Sequence, residues 1–251
     1  MHLSPSQDLI VIATTFFLSI VGGITGIGIA TIIIPLLLLL GVSFPVSKSL
    51  ALWINVWIMS LSVYKRWKTI NWHLTVPLML SAFLLAPVGA EVSFLIPEKV
   101  QLLFLGTFVV LSALFILFLK PVPLFSGTTK GGFIKLGILV GSFAGFLGGL
   151  LGIGGGILAN PILIILGLDP LEVTSMSAVM VLLSSLSGWF TYTLKGYFPW
   201  NFALPLVIAA LLGSYVGNKL SHRFSRAMLR KIVAAFAIVV GIVIFVKAFS
   251  L

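Results

Sequence analysis

The segment GGLLGIGGGILANP spans residues 148–161, and GGITGIGIATIIIP spans residues 22–35. Both open on Gly-Gly, carry Gly-Ile-Gly in the middle and close on proline, in one register. The correspondence runs on. Gly41 matches Gly167 and Ser49 matches Ser175; with a two-residue shift, Trp72 matches Trp200, Pro77 matches Pro205 and Gly89 matches Gly217. An ordered series of this kind marks an internal repeat. Residues 9–119 and 135–248 read as two copies of one unit. The stretch between them, with Pro121, Pro123 and Gly127, reads as a linker. The chain therefore divides into a first repeat at 1–119, a linker at 120–134 and a second repeat at 135–251.

Composition says what solvent this unit is built for. Of 251 residues, 60% are hydrophobic and 8% charged, against about 25% charged in an ordinary soluble domain. Apolar runs recur from end to end, and each crossing of a bilayer needs roughly 20 apolar residues. The reading is an all-α, polytopic membrane protein with no room for a separate soluble domain. The net charge of +10 does not point to nucleic acid, because Lys and Arg sit in short loops between apolar runs, as they do in cytoplasmic loops of membrane proteins. There is no cysteine, which excludes disulfides and thiolate chemistry. The first apolar run follows Asp8 rather than a basic segment, so no cleavable leader is read.

The quoted segments fall inside overlong apolar runs. Residues 8–41 as one helix would extend roughly 50 Å at about 1.5 Å per residue, and the hydrocarbon core is only about 30 Å thick. Glycine in a helix interior costs about 1 kcal/mol relative to alanine, and the glycines cluster mid-run. The expectation is two short helices, near 9–23 and 30–41, parted near Gly26 and Gly28. The second copy breaks likewise, near Gly152 to Gly156. Three plain crossings follow in each unit, near 47–65, 73–93 and 99–119, then near 173–194, 200–219 and 230–250.

Charge tests this count. If the two short helices form a hairpin, or both cross, each unit makes an odd number of passages and the second is inverted relative to the first. One side then receives Lys65, Arg66, Lys68, Lys120, Lys130, Lys135, Lys219, Arg223, Arg226, Arg230 and Lys231. The other receives Lys48, Lys99, Lys195 and Lys247: eleven against four. A single long crossing in place of each pair would give eight against seven. The positive-inside rule favours inverted repeats with both termini outside the cell membrane.

Inverted repeats with broken helices place a substrate site near the midplane. A break exposes unpaired N–H groups at the new helix N-terminus, the dipole there favours negative charge, and glycine lets an anion approach the backbone closely. Gly26, Gly28, Gly152, Gly154, Gly155 and Gly156 are thus candidate anion-binding positions. The competing reading is that these glycines only permit close helix packing. Ser49 and Asn55, after the first break, and Ser175 and Ser177, after the second, are candidate polar contacts, with Asn160. Hydroxyls and amides suit an oxyanion because they donate hydrogen bonds without a fixed charge, although Ser and Thr also bond their own backbone or a neighbouring helix. Trp53, Trp189 and Tyr192 read as cavity wall or as interfacial anchors.

Enzyme chemistry is not indicated. The acids are Asp8, Glu91, Glu98, Asp169 and Glu172, and only Glu91 falls within an expected span, a poor basis for a carboxylate proton relay. No P-loop, HExxH or hydrolase nucleophile constellation is present. No metal and no cofactor is expected.

The second block, GGLLGIGGGILANPILIILGLDPLEVTSMSA, closely resembles the sulfite exporter TauE/SafE family of membrane permeases. The resemblance covers nearly the whole chain, including its length, its duplication and the glycine–proline spacing. It implies a small sulfur-containing anion as partner: sulfite, sulfonates or related organosulfur acids. The first block departs from the pattern, with Ile29 and Ala30 where the second has Gly155 and Gly156, so the second break, with Asn160, is expected to contribute more. The leading reading is a secondary transporter working by alternating access. The alternatives are an uncoupled anion channel or uniporter, and a membrane accessory protein with no transport role.

Overall fold

A computed structural model describes residues 5–25, 30–118, 130–221 and 226–250. Within them lie ten α-helices and no strand: α1 Pro5–Thr25, α2 Ala30–Leu39, α3 Phe44–Arg66, α4 Trp72–Ser93, α5 Glu98–Phe118, α6 Lys130–Leu151, α7 Gly156–Ile165, α8 Pro170–Leu194, α9 Trp200–Ser221 and α10 Arg226–Phe249. Six of these, α3, α4, α5, α6, α8 and α9, are long and apolar enough to cross a membrane. Large aliphatic side chains such as Leu84, Leu139, Leu204 and Leu212 point outward. That surface suits lipid, where the helix satisfies its own backbone and the side chains need no water.

The overlong apolar runs do divide, but unequally. The first helices of the two pairs are 21 residues (α1) and 22 residues (α6) long, not the short pieces expected. The second helices, α2 and α7, have 10 residues each, about 15 Å and half the hydrocarbon thickness. The second break lies at 152–155, where it was expected. The first, with Gly26 and Gly28, lies outside the described residues.

Glycine has two separate jobs in α6. Gly137, Gly141, Gly145 and Gly149 recur every fourth residue and face α4. A Cβ at Gly141 would stand 2.2 Å from the carbonyl oxygen of Leu78, at Gly145 2.4 Å from Cα of Ala82, and at Gly149 2.0 Å from the carbonyl oxygen of Ala86. The two backbones therefore touch along four turns, the contact that small residues permit between membrane helices. Gly89 of α4 returns the contact, since its Cβ would stand 1.9 Å from the carbonyl oxygen of Phe146. The register rises together along both chains, so α4 and α6 run parallel.

Packing crosses the boundary between the two sequence copies. α1 packs on α9 and α6 on α4; α2 meets α3 and α10, and α7 meets α8 and α5. The first three helices of each copy thus pair with the last two of the other, which groups the helices into two bodies, α1, α2, α3, α9 and α10, and α4 through α8, with α5 and α10 packed most extensively on one another. Between the bodies run two main seams, α3 against α8 and α5 against α10. Exchanging α1–α5 for α6–α10 maps this pairing onto itself.

The two ends of the bundle differ. At one, Thr69 meets Ser175 at 3.1 Å, Asn71 donates to Glu172 at 2.7 Å, and Lys65 lies 5.9 Å from the ring of Tyr215. At the other, Lys195 pairs with Glu91 at 2.7 Å, Ser49 donates to the carbonyl of Tyr197, and Lys99 lies 6.0 Å from the ring of Phe249.

Candidate functional site: a broken helix at mid-span

The chain leaves α6 at Leu151 and enters α7 at Gly156. Between them Gly152, Gly154 and Gly155 take φ of +77°, +73° and +80°, the left-handed region that costs an L-residue roughly 1–2 kcal/mol. No side chain could be added at Gly154 even without that cost. Its Cβ would stand 2.4 Å from Oγ of Ser185, 3.0 Å from Val181 and 3.1 Å from Nδ2 of Asn55. Asn55 lies at the centre of α3, and Val181 and Ser185 near the centre of α8. The break is therefore at mid-span, on the seam between the two bodies.

Opening a helix frees carbonyls, and buried carbonyls must find donors. Here most of them are met. Gly148 C=O accepts from the backbone of Ile153 and Gly154 at 2.9 and 3.2 Å. Gly149 C=O accepts from the Tyr192 hydroxyl at 3.0 Å, and Leu150 C=O from the Lys48 ammonium at 2.9 Å. Ile153 C=O accepts from the Asn55 amide at 3.2 Å, and Gly154 C=O from the Ser184 hydroxyl at 2.8 Å. Beyond the break, Ser112 of α5 donates to Ile157 C=O at 3.1 Å. Side chains from α3, α5 and α8 thus hold the acceptors of the break.

The donors stand otherwise. Within α7 the first hydrogen bonds are those of Leu158 and Ala159 N–H to the carbonyl of Gly155. The N–H groups of Gly156 and Ile157 precede them, where a helix offers no carbonyl of its own. Around them lie polar side-chain atoms buried without a hydrogen-bond partner among the described residues: the hydroxyls of Ser185 and Ser177, which can donate, and the amide oxygens of Asn55 and Asn160, which only accept. Gly156 faces Val181 at 2.8 Å from the position of a Cβ. The four-residue turn between α7 and α8 makes the two antiparallel. Asn160, one turn beyond Gly156, and Ser177, one turn before Val181, therefore fall at one level.

The sequence-derived residues are thus brought together in part. Gly154, Gly155, Gly156 and Asn55 meet at the break, with Asn160 and Ser177 one turn away. Gly152 lies under the side chain of Lys48: a Cβ there would stand 2.5 Å from Cγ of that lysine. Ser49 and Ser175 lie at opposite ends of the bundle, and both hydroxyls are engaged. Ser49 donates to Val46 and Tyr197 carbonyls at 2.8 Å each, while Ser175 donates to Leu171 C=O at 3.0 Å and meets Thr69. Gly26 and Gly28 fall outside the described residues. Tyr192 is fully buried and bonds Ser93 at 2.9 Å as well as Gly149, so it is no interfacial anchor. Trp53 and Trp189 pack 4.5 Å apart, beside Phe198.

Ser184, Ser185 and the glycine stripe of α6 were missed in sequence. The stripe had a readable signal in its four-residue spacing. The serines had none, because nothing in one chain says which face of α8 meets the break.

No solved structure matches the chain. Relatives do. The protein named "Probable membrane transporter protein YunE" from Bacillus subtilis is 26% identical, over 88% of this chain and 91% of its own length. "Probable membrane transporter protein MJ0441" from Methanocaldococcus jannaschii is 26% identical, over 91% of this chain and 93% of its own. "Sulfite exporter TauE/SafE family protein 3" from Arabidopsis thaliana is 38% identical over 44% of this chain and 23% of its own. The model of the family described as "Sulfite exporter TauE/SafE" matches residues 11–244. With a multi-helix membrane fold and a match of that extent, the chain belongs to the TauE/SafE family of membrane transporters.

Proposed function

We propose that this protein is a secondary transporter for sulfur-containing oxyanions such as sulfite, sulfonates or related organosulfur anions. It works by alternating access around the α6–α7 break and needs no cofactor. The observation that carries the reading is the imbalance at that break. Most of its carbonyls are covered by side chains and backbone, while the first N–H groups of α7 and the hydroxyls of Ser177 and Ser185 are left to donate. Such donors attract an oxyanion, and Asn55 and Asn160 join them only through their amide N–H groups, since their unpaired Oδ1 atoms can only accept. Sulfite or a sulfonate presents several acceptor oxygens on one centre, which matches several donors converging from α7 and α8. Asn55, Asn160, Gly154, Gly155 and Gly156 complete the seat.

Two related units of opposite orientation fit the pairing pattern, which survives exchange of α1–α5 for α6–α10. They also fit the separation of Lys65 from Lys48, Lys99 and Lys195 at the two ends. On this reading the Lys65 end is cytoplasmic and both termini face outward from the cell membrane.

The test is flux in proteoliposomes holding the purified protein, with sulfite, thiosulfate, sulfoacetate and a simple alkylsulfonate offered in turn. Saturable flux of at least one is expected, lost in Gly154→Leu although that variant still inserts. A wild-type protein that binds and moves none of them, or a Gly154→Leu protein with normal flux, overturns the proposal.

A further inference from the structure

Lys48 is the charged side chain that the described core buries, at 2% exposure. No carboxylate of the described residues lies within ion-pair distance of it. Its ammonium donates to Leu150 C=O at 2.9 Å and to Oε1 of Gln101. It sits 4.0 Å from the ring centroid of Phe44 and 5.8 Å from that of Tyr192. Gln101 is itself fixed, since its Nε2 donates to Ser93 and Ile96 carbonyls at 2.6 and 2.7 Å. The amide oxygen is thereby turned on Lys48. The lysine stem reaches this seat by crossing directly over Gly152, where any Cβ would collide with it.

The seat is made of a backbone carbonyl, an amide carbonyl and two aromatic faces. Those are the contacts of a free monovalent cation, with the Glu98 carboxylate acting on it only from beyond direct contact. Its place is the C-terminal end of α6, where the helix dipole is negative. In broken-helix transporters, the C-terminal ends of half-helices and unwound carbonyls are where a coupling ion binds. We infer that the Lys48 ammonium is a tethered replacement for that ion: it fills the cation position beside the break, so that the transporter cycles without sodium or potassium. This rests on the transport reading above and adds the identity of the counter-charge. Lys48 contributes it from α3, in one body, to Leu150 and Gln101 in the other. The related position in the second copy is Thr174, whose hydroxyl is spent on Pro170 C=O at 2.5 Å, so the tethered charge serves one break only.

The test has two arms. In the first, wild-type protein in liposomes carries labelled sulfite or sulfoacetate down its own gradient, in sodium, potassium or N-methylglucamine salts. Rates within about twofold of one another are expected; a requirement for sodium or potassium overturns the inference. Absence of flux in every salt would instead count against the transport reading, and the second arm does not depend on transport. There, thermal unfolding of Lys48→Ala in detergent is followed while sodium, potassium or methylammonium is added, with N-methylglucamine as control. A vacated seat takes up a small cation, so a saturable rise in Tm is expected in the variant and none in wild type. Flux of Lys48→Ala in N-methylglucamine is expected to fall at least about tenfold and to return with methylammonium. A folded variant that responds to no small cation, or that transports at the wild-type rate without one, overturns the inference. Should Lys48→Ala fail to insert, the salt series on wild type and on Lys48→Arg decides alone.

Discussion

At the residue scale, the site is a division of labour among glycines that look alike in sequence. Gly154 and Gly155 are held at positive φ, and Gly154 has Asn55 and Ser185 against its α-carbon. Replacing Gly154 by leucine is expected to abolish flux while leaving insertion intact, checked by comparing transport with yield in the membrane. Gly152→Ala acts differently: it displaces the stem of Lys48 and adds left-handed strain of about 1–2 kcal/mol. A lower Tm is expected for Gly152→Ala, and an unchanged Tm would show that the lysine does not need its crossing point. Asn160→Ala is expected to weaken anion binding by about 1–3 kcal/mol, the cost of a lost buried hydrogen bond, read by titrating the purified protein. Unchanged affinity removes Asn160 from the seat.

Sequence alone carried the glycine break, because φ preference and helix length are local properties. It did not separate Ser177, whose hydroxyl is unpaired, from Ser49 and Ser175, whose hydroxyls meet Tyr197 and Thr69. The difference lies in partners about 100 residues or more away in the chain, which no local pattern records.

At the element scale, α6 is built to touch and then to stop. Its four glycines at four-residue spacing bring the backbone of α4 into contact, and the next glycines end the helix at mid-span. The same residue type serves close packing in one stretch and chain reversal in the next. Gly145→Val is expected to lower stability by roughly 1–3 kcal/mol, the usual cost of overpacking, and in a contact between two backbones the upper end applies. Thermal unfolding in detergent measures it. The unequal division into a long and a 10-residue helix was not legible, because Lys130 and Lys135 at the start of α6 look like loop residues but continue the helix as an extension of its apolar part.

At the scale of the molecule, packing does not follow the two sequence copies. The pairing of α1 with α9 and of α6 with α4 ties each copy to the other, so the alternating access proposed above would require motion at the seams α3–α8 and α5–α10. Because the chain has no cysteine, one engineered pair tests this without background. A Cβ at Gly241 would stand 3.9 Å from Cβ of Val110, close to the mean of about 3.8 Å for disulfides. Oxidising the double variant Val110→Cys, Gly241→Cys is expected to stop flux, and reduction to restore it. A crosslinked protein that still transports would place the motion elsewhere.

The middle body, α4 through α8, is one unbroken stretch from Trp72 to Leu194, whereas its companion is assembled from the two ends of the chain. During synthesis α1 leaves the ribosome long before its main partner, α9, and in the interval contacts chiefly α2. Its buried hydroxyls at Thr15 and Ser19 must meanwhile find shelter in lipid or in the insertion machinery. A nascent chain halted just after α8 is therefore expected to hold a protease-resistant centre beside an N-terminal helix still waiting for its neighbour.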